Sequence, residues 1–350
     1  MIDPYMAVAL QTTIRHVTTR DEVDKNLTHI GNMIDLVMHI CALELPVRLI
    51  ALSEGVIQGF ADEILHMSPA GYAKTMAAEI PGKETEFLGN KAKQHDVYII
   101  AQLKVRLAEF PDRFFNAVFM VDPKGDVIYT HYKNVVLFVE HSTTPHDVYD
   151  KWVQLHGNGL DAFFPVARTE IGNIAGTVGV EGAFPETFRA FALNGAEILY
   201  RGALPEPWVG RQIYEVQNRA RALDNCCYVL APNGGSLIMP GAPGEMPTTV
   251  GGALGGRSGI YAYNGDVLAE SSIVDDAYVS GEINIDALRY YRQNAKFQNW
   301  LPYLRSEIYR SAYDAPVWPA NDQPLDDKAA EQVLKETIAS LQSRGAFAKR

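Results

Sequence analysis

Apolar residues along the chain follow two different spacings. Short runs rich in Val, Ile and Leu predict strands, and apolar residues at every third or fourth position predict helices. One long helical pattern, residues 20–45, has an apolar face made of Val23, Leu27, Ile30, Met33, Leu36, Val37 and Ile40. Strands are predicted at 6–14, 47–54, 97–103, 172–179, 196–203, 226–233 and 278–285, and further helices at 83–95, 184–194, 210–225 and 325–343.

Two hairpins interrupt this alternation. Residues 114–133 turn at Asp122–Gly125, and residues 259–271 turn at Asn264-Gly265. Strands joined by helices pair in parallel and hairpin strands pair antiparallel, so we expect an α/β fold with mixed sheets.

The pattern changes near residue 295. The preceding sequence contains no linker or low-complexity stretch, whereas the following segment is aromatic and punctuated by prolines. We therefore expect a main domain over residues 1–295 and a C-terminal extension over 296–350. Such an extension is expected to wrap the main domain or a partner subunit.

Composition excludes several classes of protein. The net charge is −11 with a pI near 5.3, and the sequence has no basic stripe for nucleic acid. Charged residues interrupt the apolar stretch 30–53, so no membrane span is expected. The three cysteines are an odd number and do not suggest a framework of disulfide bonds, and no signal sequence is recognised at the start of the chain. These features favour a cytoplasmic protein.

Charged or small residues stand where several predicted strands end. Glu54 ends one strand, Lys133 follows a hairpin strand, Gly179 ends a third strand, and Glu140 lies seven residues after Lys133. In open α/β sheets, sites gather at the carboxyl ends of strands. Glu54 is a candidate general base, or else a surface carboxylate. Lys133 is a candidate cation that stabilises an oxyanion, or else an ordinary exposed lysine. Glu140 is a candidate carboxylate that orients the substrate or Lys133, or else a member of a loop ion pair.

Other familiar motifs are missing. The histidines at 131, 141 and 146 match no zinc spacing, and the sequence has no HExxH, CxxC, GxSxG, P-loop or GxGxxG pattern. We predict no metal and no cofactor. Cys226 and Cys227 begin an apolar strand and are interpreted as buried structural thiols.

Four segments together resemble the nitrilase, or carbon–nitrogen hydrolase, superfamily. They are "LIALSEGVIQGF", "THYKNVVLFVEH", "IGNIAGTVGVEGAFPETFRAFALNGAEIL" and "RARALDNCCYVLAPN", and the resemblance spans roughly residues 6–290. It implies a four-layer α-β-β-α sandwich in which two mixed sheets pack face to face. It also implies association through the outer helices, hence a homodimer or higher homo-oligomer.

The resemblance assigns roles to the residues at the strand ends. Glu54 corresponds to the general base, Lys133 to the catalytic lysine and Glu140 to the second glutamate of many members. The backbone amide of Val180 corresponds to an oxyanion donor. Gly179 stands where the family has its nucleophilic cysteine, so thioester chemistry is not available at the usual position.

The surrounding sequence suggests a remodelled pocket for a small molecule. Arg201 is a candidate for binding a carboxylate, or else an exposed loop arginine. Trp208, His141 and Glu181 are further candidates for contacts with substrate.

Three functional hypotheses follow. The first is a thiol-free enzyme acting on a small nitrile, amide or related carbonyl compound. In it Glu54 activates water, or serves as the base of a hydration, elimination or cyclisation. The second is a conventional amidase or nitrilase inactivated by a Cys-to-Gly change. The third is a non-catalytic binding or scaffolding homologue, although a scaffold has no reason to keep a buried charge cluster.

Overall fold

A computed structural model describes residues 1–204, 212–241 and 245–348. The strands are β1 Tyr5–Arg15, β2 Val47–Leu52, β3 Tyr98–Arg106, β4 Phe114–Val121, β5 Val127–Tyr132, β6 Ala167–Thr169, β7 Gly172–Val178, β8 Ile198–Gly202, β9 Tyr228–Ala231, β10 Gly234–Met239, β11 Thr248–Val250, β12 Gly259–Tyr261, β13 Val267–Glu270 and β14 Ala277–Ile283. The α-helices are α1 Val23–Cys41, α2 Ala61–Ile64, α3 Pro69–Thr75, α4 Lys83–His95, α5 Tyr149–His156, α6 Leu160–Phe163, α7 Pro185–Leu193, α8 Ile213–Asn225, α9 Ile285–Asn294, α10 Ser306–Arg310 and α11 Asp327–Ser343.

The strands form two sheets, each with parallel and antiparallel neighbours. The first sheet has the order β11-β10-β1-β2-β3-β4-β5, with β14 also paired to β1. Its β1, β2 and β3 are parallel, and the β3–β4–β5 meander is antiparallel. The second sheet has the order β13-β12-β9-β8-β7-β6, with β7, β8 and β9 parallel. The predicted α/β fold with two mixed sheets is confirmed.

Alternation along β1 shows how the layers pack. Ala7 and Ala9 belong to the core between the two sheets, whereas Val8 and Leu10 belong to an outer core with the apolar face of α1. Successive side chains of a strand point to opposite faces, so a strand buried on both sides is apolar throughout. Helices α1 and α4 cover the first sheet, and α8 covers the second. The layers therefore follow the sandwich that the resemblance implies.

Two tyrosines join the sheets through their hydroxyl groups. Tyr200 on β8 donates to the carbonyl of Leu52 at 2.6 Å. Tyr129 on β5 donates to the carbonyl of Gly176 at 3.2 Å and accepts from its N–H at 3.0 Å. A Cβ on Gly176 would lie 2.6 Å from Cβ of Tyr200, so only glycine allows this approach. These bonds fix the relative register of the strands that end at the site.

Some elements were not predicted from the sequence pattern. Strands β6, β10 and β11 are short or rich in glycine, and helices α5 and α9 are only 8 and 10 residues long. The helix predicted over 20–45 is shorter, because Arg20–Glu22 form a 3₁₀ turn and Ala42 ends the helix. Such boundaries depend on tertiary contacts more than on local periodicity.

The C-terminal extension contacts the main domain of the same chain. The hydroxyl of Tyr313 donates to Glu186 at 2.7 Å, and the N–H of Asn321 donates to the carbonyl of His146 at 3.0 Å. Contact with a partner subunit, and the boundary at residue 295, stay predictions. Among the described residues, no helix has the length and apolar character needed to cross a membrane.

Candidate active site

Three strand ends meet at one cavity. Glu54 follows β2, Lys133 follows β5 and Gly179 follows β7. The cavity has a volume of about 310 Å³. It is lined by Glu54, Phe60, Glu63, Lys133, Leu137, Val139, Glu140, Gly179, Val180, Ala183, Arg201, Ala203, Leu204, Ile213, Tyr214 and Gln217. The structure thus brings together six of the residues singled out from the sequence.

Lys133 lies between two carboxylates. Its Nζ is 2.6 Å from Oε2 of Glu140 and 3.5 Å from Oε1 of Glu54. The Lys133 side chain is only 3% exposed, and the two glutamates are nearly as buried. A buried charge is tolerated only when it is paired and hydrogen-bonded. Glu140 is therefore the closer ion-pair partner, and Glu54 retains a weaker contact.

An amide pair, which sequence reasoning missed, holds both carboxylates. Nδ2 of Asn116 donates to Oε1 of Glu54 at 3.1 Å and to Oε1 of Glu140 at 3.0 Å. Gln102 donates to Oδ1 of Asn116 at 2.8 Å and accepts from the N–H of Gly55 at 3.0 Å. Because Oδ1 of Asn116 accepts the bond from Gln102, the Nδ2 donor group of Asn116 faces the two carboxylates. These donors favour the ionised forms of Glu54 and Glu140.

Burial and charge act in opposite directions on these groups. Burial raises the pKa of Glu54, the cation of Lys133 opposes it, and the charge of Glu140 adds to it, so that the pKa lies above the usual 4.5. Burial alone would raise the pKa of Glu140, but Lys133 and Lys104 outweigh it and lower the pKa to about 2. Burial alone would lower the pKa of Lys133, and the two glutamates raise it instead. Glu140 is thus the permanent anion, and Glu54 is the group suited to exchange a proton.

Gly179 occupies the turn that follows β7. Its φ is +55°, a left-handed conformation that glycine adopts without steric cost. A Cβ at this position would lie 2.8 Å from Oε2 of Glu54 and 3.1 Å from Nζ of Lys133. The first distance is shorter than a Cβ normally tolerates, so glycine lets the Glu54 carboxylate approach the turn more closely than any other residue would.

Val180 follows Gly179 and also lines the cavity. Residues Gly179–Ala183 form a 3₁₀ helix, and the first N–H groups of a helical turn have no acceptor within the turn. The N–H of Val180 is one of these groups. It can therefore act as a hydrogen-bond donor at the edge of the cavity.

Arg201 lies on β8 with its guanidinium against the same turn. It donates to Oδ1 of Asn218 at 3.0 Å, to Oε1 of Gln217 at 2.9 Å and to the carbonyl of Gly179 at 3.4 Å. Burial lowers its pKa to about 10. The guanidinium also lies 5.0 Å from the ring of Tyr214. Arg201 lines the cavity and at the same time holds the carbonyl side of the turn.

Glu181 lies beneath the turn instead of on the cavity wall. Its carboxylate contacts Nε2 of His131 at 3.0 Å, accepts from the N–H of Asn134 at 3.1 Å and accepts from the hydroxyl of Thr177. Burial alone would raise its pKa, but His131 outweighs it and lowers the pKa. Glu181 therefore joins the turn to the residue that follows Lys133, and the described contacts give it no access to a substrate.

His141 also points away from the cavity. Its Nε2 lies 2.8 Å from Oδ1 of Asp327, at the start of α11, and its Nδ1 lies 3.2 Å from the carbonyl of Met67. The side chain joins the loop that carries Glu140 to the C-terminal extension. Trp208, another candidate, lies outside the described residues.

Gln323 makes a second link between the extension and this loop. Its Oε1 accepts from the hydroxyl of Thr143 at 2.7 Å and from Arg113, and its Nε2 donates to the carbonyl of His141 at 3.2 Å. We expect Gln323→Ala to lower the free energy of unfolding by about 1–3 kcal/mol, since it leaves these partners unsatisfied. Gln332→Ala, on an exposed face of α11, is the matched control in denaturant unfolding. Equal values for the two variants would contradict the link.

The arrangement combines three chemical capacities. Glu54 can remove a proton, Lys133 can stabilise negative charge, and the N–H of Val180 can share that charge. Within residues 1–204, 212–241 and 245–348, no group of three or more His, Cys, Asp or Glu side chains could hold a metal ion. A base beside a cation and an amide donor suits addition to a carbonyl or nitrile carbon.

Comparison with known sequences identifies relatives of this chain. A deaminated glutathione amidase of Synechocystis sp. (strain PCC 6803 / GT-S) is 26% identical over 309 residues, covering 87% of this chain and 99% of that protein. A beta-ureidopropionase of Arabidopsis thaliana is 23% identical over 238 residues, covering 67% of this chain and 55% of that protein. The first of these names describes an amidase.

Solved structures share the fold. A carbon-nitrogen hydrolase from Helicobacter pylori G27 superposes with a TM-score of 0.65 at 17% identity, covering 89% of this chain and 99% of that one. Saccharomyces cerevisiae Nit3, a member of the nitrilase superfamily, superposes with a TM-score of 0.62 at 16% identity. The match covers 84% of this chain and 95% of Nit3. The family model for carbon-nitrogen hydrolases matches residues 8–293. Because this match spans most of the 350 residues, the chain belongs to the carbon-nitrogen hydrolase family.

Proposed function

We propose that this protein is a thiol-free hydrolase of small amides, nitriles or related carbonyl compounds, with Glu54 as the general base. The observation that carries the proposal is the position of the Glu54 carboxylate, 2.8 Å from the point that a Cβ of residue 179 would occupy. A carboxylate so close to the nucleophile position can act on a molecule in the cavity without an intervening side chain.

The proposed nucleophile is water. Absence of a side chain at Gly179 leaves room for a water in contact with Glu54 and Lys133, in a polar pocket that can supply its hydrogen bonds. Glu54 takes one proton from this water while the oxygen of the water attacks the acyl carbon. Lys133 and the N–H of Val180 stabilise the oxyanion, and the proton then passes to the leaving nitrogen. For an amide, one water is consumed and one carboxylic acid and one ammonia are formed.

The two adjacent cysteines do not serve as a displaced nucleophile in this proposal. Cys226 follows the last residue of α8 and Cys227 precedes β9, and both are fully buried. Burial raises the pKa of the Cys227 thiol to about 11, so it stays protonated at neutral pH. Its Sγ is also within 3.3 Å of the carbonyl of Ala196, away from the residues that line the cavity.

Arg201 is given a positioning role. Its contacts with the carbonyl of Gly179 hold the peptide whose N–H, that of Val180, faces the oxyanion. A guanidinium in the cavity wall can in addition attract a carboxylate on the substrate. Holding the turn affects the turnover number, whereas attracting a carboxylate affects the affinity for acidic substrates.

The proposal is tested with a panel of nitriles, short amides and N-carbamoyl compounds, following ammonia release and the mass of each product. Turnover that depends on Glu54 supports a thiol-free hydrolase. The absence of turnover across the panel would favour a substituted enzyme or a binding homologue, and restoring cysteine at 179 then separates these two.

The pH dependence of turnover provides a further prediction. Glu54 acts in its ionised form, so turnover should fall as the pH drops through its pKa, which lies above the usual 4.5. The charge of Glu140 raises that pKa, so Glu140→Gln should move the acid limb of the kcat/KM profile to lower pH. A limb that stays in place or moves to higher pH in this variant would contradict the assignment of Glu54 as the base.

A further inference from the structure

A second buried charge cluster lies beside the cavity. Lys104, on β3, has its Nζ 2.5 Å from Oδ1 of Asp62 and 3.4 Å from Oε1 of Glu63. Lys104 and Asp62 are 1% and 0% exposed, whereas the side chain of Glu63 is 26% exposed. The short helix α2 thus directs one carboxylate to the lysine and leaves the next, Glu63, on the cavity wall.

The distances show which charges are already paired. Lys133 has Glu140 at 2.6 Å, and Lys104 has Asp62 at 2.5 Å. Glu63 shares a lysine that already has a closer partner. Paired charges largely cancel in a buried site, so Glu54 and Glu63 are the two carboxylates of the described cavity wall whose nearest lysine has a closer partner. Glu54 is assigned to the reacting carbonyl, which leaves Glu63 as the carboxylate that can pair with a cation.

The neighbouring wall is apolar and suits a short hydrocarbon chain. Phe60, Leu137, Val139 and Leu204 line the same cavity. Its volume, about 310 Å³, is at the small end of the range of about 300–1,000 Å³ for ligand pockets. Glu54 and Glu63 line this same cavity, so a substrate with a reactive carbonyl at one end and a cation at the other would meet both carboxylates.

We infer that Glu63 is a specificity-determining residue that binds an ammonium group on the substrate, at the end opposite the carbonyl that reacts. This inference rests on the proposed function and names its substrate class: small amides or related compounds that carry a primary amine. Glu63 acts in recognition only, and the reacting atoms contact Glu54, Lys133 and Val180.

The ionisation of Glu63 is consistent with such a partner. Burial raises its pKa to about 8, against the opposing effect of Lys104. A bound cation would favour the ionised form and compensate for the lost hydration. A neutral amide brings no such compensation. The Glu63 carboxylate therefore discriminates between substrates that carry an ammonium group and neutral amides.

The test is a binding experiment that does not require turnover. 4-Aminobutanamide and pentanamide have nearly the same size and differ in charge, so their affinities for the Glu54→Gln enzyme are measured by calorimetry at pH 8.5. We expect the ammonium compound to bind about tenfold more tightly or better, because hydrogen bonds to charged groups are the stronger ones. Adding Glu63→Gln should abolish that preference, and adding Glu79→Gln, a more exposed carboxylate at the surface, should preserve it.

The remaining outcomes decide between the two proposals. Glu63→Asp keeps the charge on a shorter side chain and should give an intermediate preference, so a misfolded Glu63→Gln variant does not end the test. Equal binding of the two amides, preference for the acidic analogue succinamate, or a preference that survives Glu63→Gln would overturn the inference. An ammonium preference without any turnover by the unaltered chain would instead leave the inference standing and count against the proposed hydrolase.

Discussion

Replacing Glu54 by glutamine is expected to reduce turnover about 10²–10⁴-fold, which is the usual contribution of a general base. Glutamine is nearly isosteric and can still bond to Asn116, but it cannot accept a proton from water. The variant should therefore fold and bind substrate while losing kcat. Initial rates of ammonia release, compared with those of the unaltered chain, measure the effect.

A matched control separates chemistry from stability. Glu170 forms a surface ion pair with Arg48 and is 66% exposed, so Glu170→Gln should leave turnover within a few fold of the unaltered chain. If Glu54→Gln retained full activity on a substrate that the chain hydrolyses, the base would lie elsewhere and the proposed mechanism would be abandoned.

Gly179→Ala is expected to reduce turnover about 100-fold or more. The added Cβ would lie 2.8 Å from Oε2 of Glu54, so either the carboxylate or the turn must shift, and a displacement of about 1 Å in a catalytic group can cost that much. The φ of +55° adds strain, because residues with a Cβ rarely adopt it. The methyl group also takes space that the proposal assigns to water.

Gly179→Cys gives the complementary result. Under the proposed function, the thiol displaces water in the same way as alanine does, and any activity that remains passes through a thioester detectable by the mass of the trapped protein. An inactive unaltered chain together with an active Gly179→Cys variant would instead show a conventional enzyme that has lost its nucleophile. Both variants are compared at equal folded fraction, determined by thermal unfolding.

The sequence predicts the parts of the site that follow a strand pattern. Glu54, Lys133 and Gly179 each end an apolar run, and the sheets bring carboxyl ends of strands together. Their meeting at one cavity was therefore accessible without a structure. So was an α/β fold with mixed sheets, because apolar strands alternate with amphipathic helices along most of the chain. The four-layer sandwich was expected only from the resemblance to the carbon–nitrogen hydrolase superfamily.

Other residues of the site could not be predicted in this way. Asn116 and Gln102 lie inside strands, where a polar residue among apolar neighbours gives no sign of which partner it reaches. Glu63 follows Asp62 in a short helix, and only the packing decides which of the two faces the cavity. His141 and Glu181 lie close in sequence to Glu140 and Gly179, but their side chains point to the opposite side, and sequence proximity does not reveal that direction.

The link between the Glu140 loop and the C-terminal extension has a consequence for biosynthesis. Asp327 and Gln323 are translated about 180 residues after the His141 and Thr143 groups that they contact. Because a chain emerges from the ribosome in order, both sheets can assemble while that loop still lacks its restraints. We expect nascent chains stalled before residue 321 to form the folded sandwich without a fully ordered Glu140 loop, so that the cavity becomes competent only late in synthesis.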